Sequence, residues 1–175
     1  LIAYSINAAA SSNTLADFVV STDDDEIANI SNSFGAKILK RPPTLAADNT
    51  PMLPVIRHVF SEIKTKSGDD YDIGVILQPT APMRTAEDID QAVNILISTG
   101  ADSVVSVYRV YDHHPARMYK IENDCLVSLE EEPGSRLRQE LPPVYHRNGA
   151  IYAFRRTMVE QTNSLIGLNT RPYIM

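Results

Sequence analysis

The chain has 175 residues, 43% of them apolar and 22% charged, enough for the core of one ordinary domain and too apolar for global disorder. Sixteen Lys and Arg against 22 Asp and Glu leave a formal charge of −6, which argues against a general affinity for nucleic acid or acidic membranes. The single cysteine, Cys125, excludes an internal disulfide and a cysteine-based zinc cluster, and suits a reducing compartment.

The chain begins at Leu1 inside an apolar stretch and ends at Met175, so both ends are expected to be cut points of a longer protein. Leu1 to Ala10 lacks the basic region and apolar length of a signal peptide and reads as an amphipathic helix. No run of 18 apolar residues occurs, so no membrane span is expected. Phe18-Val19-Val20 reads as a strand. In the acidic run that follows, Asp23 is expected to be the N-cap and Glu26 the third helical residue, a capping box rather than a metal site. Ile27, Ile30 and Phe34 recur at helical spacing up to Gly35, and Ala36 to Leu39 is a second strand. Thr50 before Pro51 predicts a capped helix whose apolar face holds Val55, Ile56, Val59, Phe60 and Ile63. Ile73 to Leu77 is a near-continuous apolar run, the pattern of a central strand buried on both faces. Ile89, Ala92, Val93 and Leu96 mark a helix closed by Gly100, and Ser103 to Val107 a further strand. Residues 108–140 then break the rhythm as an inserted, β-rich arm, and Asn148 to Phe154 returns as a strand. Cys125, within the arm, reads as a small packing residue.

The alternation implies one α/β domain over residues 1–175, with a largely parallel sheet and helices on both faces. In such folds ligands bind beyond the carboxyl ends of the strands. The loop Gln78-Pro79-Thr80-Ala81-Pro82-Met83-Arg84 leaves the most apolar strand, carries an amide, a hydroxyl and a guanidinium, and is stiffened by two prolines. It either orients a polar ligand or simply turns the chain toward the helix at Ala86; its residues favour neither reading. From Arg136 to Arg156 there are five arginines, no lysine and one acid, Glu140. This basic segment suits a carboxylate or phosphate, or else pairs with Glu130-Glu131-Glu132 as a solvated face. The four histidines have no metal-ligand spacing.

The string Val20-Ser21-Thr22-Asp23-Asp24, Gly35-Ala36, Arg41-Pro42, Leu45-Ala46-Ala47-Asp48, Leu77 to Arg84, Arg138-Gln139 and Asn148-Gly149-Ala150-Ile151-Tyr152 resembles, in order and spacing, the acylneuraminate cytidylyltransferases. The resemblance runs the length of the chain. It implies a three-layer α/β/α sandwich of nucleotide-diphospho-sugar transferase type with a dimerisation arm. It also implies a homodimeric, cytoplasmic enzyme of cell-surface polysaccharide biosynthesis that uses CTP and Mg²⁺. Such an enzyme transfers CMP to the anomeric hydroxyl of an acidic nine-carbon sugar, N-acylneuraminate or a relative such as legionaminate or pseudaminate, and releases pyrophosphate. By matched position, Arg41 and Met52 lie near the nucleotide, and Gln78 and Thr80 meet the sugar. Arg138 and Gln139 reach the sugar of the neighbouring subunit, and Asn148 and Tyr152 line its pocket. Leu165 and Ile166 stand where an aromatic pair meets the N-acyl group.

The chain departs from the pattern in three respects. The basic, Gly-rich nucleotide loop and the metal-binding carboxylates both fall outside these residues, so this segment alone is expected to be inactive and to hold no metal. Met52 stands where Ser is frequent. Leu165-Ile166 replaces the aromatic pair and leaves the identity of the nonulosonic acid open. A cytidylyltransferase for 3-deoxy-manno-octulosonate and a non-catalytic sugar-nucleotide-binding module are the competing readings.

Overall fold

The computed structural model describes residues 1–130 and 137–175, the side chain of Arg138 excepted. In chain order the elements are α1 (Ile2–Ala10), β1 (Val19–Thr22), α2 (Asp25–Ser33), β2 (Lys37–Lys40), α3 (Met52–Ser67), β3 (Ile73–Ile76), α4 (Ala86–Thr99) and β4 (Ser103–Val110). They continue with β5 (Tyr119–Glu122), β6 (Cys125–Ser128), β7 (Val144–Arg155), α5 (Arg156–Thr162) and β8 (Thr170–Ile174).

β1 and β2 pair in parallel. A second sheet has the order β3-β7-β4-β8. In it β4 is parallel to β8, and β7 runs antiparallel to both β3 and β4. Only β7 therefore opposes the common direction in this sheet, and the architecture is a largely parallel α/β/α sandwich. One layer packs Ala8 of α1 and Ile89, Ala92 and Leu96 of α4 against Val104 and Ile151. The opposite layer packs Ile56 of α3 and Met158 and Val159 of α5 against Phe154. Neighbouring β7 residues, Ala153 and Phe154, feed opposite layers as strand alternation requires.

Polar ties hold the layers in place. The Asp90 carboxylate on α4 accepts from Asn13 N at 3.0 Å, Thr14 N at 3.0 Å and Thr14 Oγ1 at 2.8 Å, and from Ser12 Oγ. Burial alone would raise its pKa, but these bonds outweigh it and hold the carboxyl well below its usual range. Tyr173 of β8 donates to Asp88 of α4 at 2.7 Å. Burial and that bond push the Tyr173 phenol up to about 12.

Several sequence expectations shift. Asp24, not Asp23, caps α2, accepting from Ile27 N at 2.8 Å. The third residue of that helix is then Ile27, so Glu26 cannot close a capping box. α3 starts at Met52 with Pro51 as N-cap, so Thr50 makes no cap. β4 runs on to Val110, and the excursion leaves the sheet only beyond it, with β5 and β6 forming an antiparallel hairpin. Cys125 is exposed on that hairpin. The largest correction concerns Ile73 to Leu77: β3 is an edge strand of its sheet, half-buried throughout, because among the described residues it pairs with β7 alone.

Candidate active site

Among the described residues β1 pairs with β2 alone and β3 with β7 alone, and both strands line a cavity of about 610 Å³, with α1 and α3 along its walls. Its lining is mostly apolar, with Arg41 and Gln78 among the polar exceptions. Arg41 follows β2 and is anchored to the end of β1. Its backbone N donates to Thr22 O at 2.8 Å, Nη2 to Ser21 O at 2.6 Å and Nε to Ser21 Oγ at 3.3 Å. The remaining guanidinium N–H groups make no hydrogen bond among the described residues.

A second cavity, of about 390 Å³, opens beside the first. Met52 from the start of α3, Gln78 after β3, Tyr152 of β7, and Leu165 and Ile166 after α5 line it together. These five residues span more than 110 positions of sequence and converge because β7 lies beside β3 while α5 and α3 pack over the same sheet face. Met52 and Gln78 line both cavities and stand at their junction.

Gln78 is placed by two devices. Arg84, almost wholly buried, donates from Nη1 to the carbonyls of Gln78 (2.8 Å), Ala81 (3.1 Å) and Ala150 (2.9 Å), and from Nη2 to Ser5 Oγ. It bolts the loop to β7 through charge-assisted bonds. Burial lowers its pKa to about 10, which leaves it charged at neutral pH. Of the two readings the loop's residues left open, the Arg84 guanidinium fits the one that turns and ties the chain, since its partners lie inside the protein. The second device is Gly149, at φ +74°, where a Cβ would come within 2.6 Å of Gln78 Oε1. A glycine lets the amide lie against β7.

Other expected residues lie elsewhere. Thr80 is exposed on the turn and lines neither cavity. The Asn148 side chain turns inward: Oδ1 accepts from Ser106 Oγ at 2.6 Å and Ala150 N at 3.1 Å, and Nδ2 donates to Met175 Sδ at 3.2 Å. Gln139 is exposed in a short 3₁₀ turn, Arg138–Glu140, away from both cavities. The Arg138 side chain and all of Arg136, Glu131 and Glu132 lie outside the described residues. The small cavity adds Arg147, Asn163 and Ser164, which motif matching passed over. Arg147 was legible only as a member of the basic segment. Asn163 closes α5 in the left-handed region and Ser164 bonds Ile166, features of a local turn that no periodicity announces. Among the described residues, no group of three or more His, Cys, Asp or Glu side chains could hold a metal ion.

A family model described as cytidylyltransferase matches residues 1–166. The chain belongs to the cytidylyltransferase family. All of it aligns at 30% identity with the CMP-N,N'-diacetyllegionaminic acid synthase of Campylobacter jejuni, covering 74% of that protein. It also aligns in full at 31% identity with the N-acylneuraminate cytidylyltransferase of Escherichia coli, covering 41% of it. Among solved structures, a CMP:2-keto-3-deoxy-manno-octonic acid synthetase in complex with CTP superposes with a TM-score of 0.70 over 98% of this chain and 77% of its own, at 16% identity. That last likeness shows the shared fold.

Proposed function

We propose that this cytidylyltransferase joins CMP to the anomeric hydroxyl of a nonulosonic acid. The supporting observation is the convergence of Met52, Gln78, Tyr152, Leu165 and Ile166 on one cavity that adjoins another containing Arg41. In this reading the nucleotide lies toward Arg41 and the sugar fills the smaller cavity, with Gln78 at the junction. The sugar hydroxyl attacks the α-phosphorus of CTP and gives up its proton to solvent, the new C–O–P link forms, and the bond to the departing pyrophosphate breaks. The residues lining the two cavities contribute binding and orientation: Gln78 holds sugar hydroxyls by its amide, and Arg41 offers its unused donors to the nucleotide phosphates. Bound with the triphosphate, Mg²⁺ would neutralise part of its charge. A cytoplasmic homodimer in which Arg138 and Gln139 reach the neighbouring site belongs to the same proposal.

Transfer to 3-deoxy-manno-octulosonate is the second reading, supported by the fold likeness. The pair Leu165-Ile166 favours an N-acylated sugar, because an acyl methyl gains from an apolar wall that an octulosonate cannot use. Saturation-transfer NMR with N-acetylneuraminate, N,N'-diacetyllegionaminate and 3-deoxy-manno-octulosonate separates the readings. Binding of either N-acylated acid in preference to the octulosonate is expected; the reverse order, or no sugar acid bound, overturns the proposal. In the enzyme expressed from its complete reading frame, Gln78→Ala should lower kcat/KM for sugar roughly ten- to a hundredfold while sparing CTP binding. Kinetics near wild type would reduce Gln78 to a turn residue.

A further inference from the structure

β7 does not pair evenly with β4. Tyr152 lies opposite Val105 and Arg147 opposite Val107, so β4 advances two residues while β7 advances five. Regular pairing would set residue 150 against Val107, on the same face as Tyr152. Three extra residues are instead absorbed in a bulge, and Arg147 occupies that same-face position. Without the bulge, an odd separation of five would send the two side chains to opposite faces.

The bulge is built rather than slack. Gly149 supplies the left-handed φ. Ser106, fully buried on β4, accepts from Ile151 N at 2.7 Å and lies within donating distance of Asn148 Oδ1 (2.6 Å) and Ile151 O (3.1 Å). Asn148 Oδ1 closes the loop of bonds on Ala150 N. Bulges of this kind re-aim side chains next to active sites. Here the result is that Arg147 and Tyr152 line one cavity with Gln78. Among the described residues the Arg147 guanidinium has no hydrogen-bond or ion-pair partner. It is a cation with a full set of donors at the rim of a small cavity, in a chain of formal charge −6.

We propose that Arg147 binds the carboxylate of the sugar acid, and that the Ser106–Asn148 bulge is the device that aims it. This inference rests on the nonulosonic acid reading and adds a residue to it. The planar fork suits a carboxylate held by two N–H groups. A nucleotide phosphate is the other anion such a fork could take. The surroundings favour the sugar: Arg147 shares its cavity with Leu165 and Ile166, whereas Arg41 lies in the other.

The test is a binding titration by NMR or calorimetry with N-acetylneuraminate, its C1 methyl ester and CTP. Wild type should bind the acid more tightly than the ester. Arg147→Gln should lose roughly ten- to a hundredfold for the acid, down to the level of the ester, with ester and CTP affinities unchanged. Arg147→Lys should recover part of the loss. Unchanged acid binding in Arg147→Gln overturns the inference, as does equal loss for acid and ester. Loss confined to CTP overturns it in favour of the phosphate. If wild type binds neither acid nor ester, the underlying nonulosonic acid reading fails and takes this one with it; if wild type binds and the variant matches it, only the role of Arg147 fails.

Discussion

At Gly149 two requirements meet. The backbone takes φ +74°, and the space above the Cα is filled by Gln78 Oε1. An L-residue in the left-handed region costs about 1–2 kcal/mol, which most folds tolerate. The amide cannot stay where it is. Gly149→Ala should therefore show a modest stability loss in urea unfolding and a much larger rise in KM for sugar, with KM for CTP held. A sugar KM that stays at the wild-type value would mean that Gln78 adapts or does not matter. Along the sequence, Gly149 was visible as part of the Asn-Gly-Ala-Ile-Tyr string, but its physical role was not. The reason lies in a contact with a residue about seventy positions earlier. Asn148 differs in the same way: the resemblance assigned it to the sugar pocket, while the structure engages its carbonyl oxygen in the bulge.

Elements whose faces are buried by helix or sheet packing announced themselves through periodicity. α4 shows this best: Ile89, Ala92, Val93 and Leu96 are its buried residues, and Gly100 closes it in the left-handed region. α5, with seven residues, and β8, interrupted by Pro172, are too short or too irregular for that signal and escaped it. The β4–β7 bulge escaped for another reason, since it is a property of two strands and no single strand encodes it. The β3 mismatch is informative in the opposite sense. Its residues carry the apolar pattern of a central strand, yet one edge lies against a cavity. Asp90 fixes the loop before β1 to α4, and its folded pKa is depressed. Its stabilisation is thus present above the unfolded carboxyl pKa of about 4 and fades as pH falls below it. Asp90→Asn should cost on the order of 1–3 kcal/mol at pH 7, and the gap to wild type should narrow by pH 3. An equal gap at both pH values, read from urea melts, would show that the carboxylate charge is not what holds the loop.

For the whole molecule, the apolar residues exposed on the β5–β6 hairpin bear on how many chains make one working unit. The β5–β6 hairpin and its flanks expose Tyr111, Ile121 and Leu126, at 63%, 76% and 69% of their surface. Tyr108 and Tyr111 are partly engaged within the chain, by His146 and Arg109 respectively. Ile121 and Leu126, paired across the hairpin, are the better anchors for a second copy, because apolar side chains left in water favour association. The enzyme from its complete reading frame should sediment as a dimer at micromolar concentration, and Leu126→Glu should shift it toward monomer without loss of secondary structure. If the dimer also completes the site through Arg138, then two inactive variants should rescue each other. Gln78→Ala and Arg138→Ala should each lose activity alone. A heterodimer of the two holds one site with both changes and one with neither. Random mixing after co-expression should then restore up to about a quarter of wild-type turnover, as two-fold symmetry dictates. Rescue requires association, so Leu126→Glu built into both variants should abolish it. Loss in both single variants without rescue would place Gln78 and Arg138 in the same subunit's site or in separate roles, and a monomer in sedimentation would remove the shared site altogether.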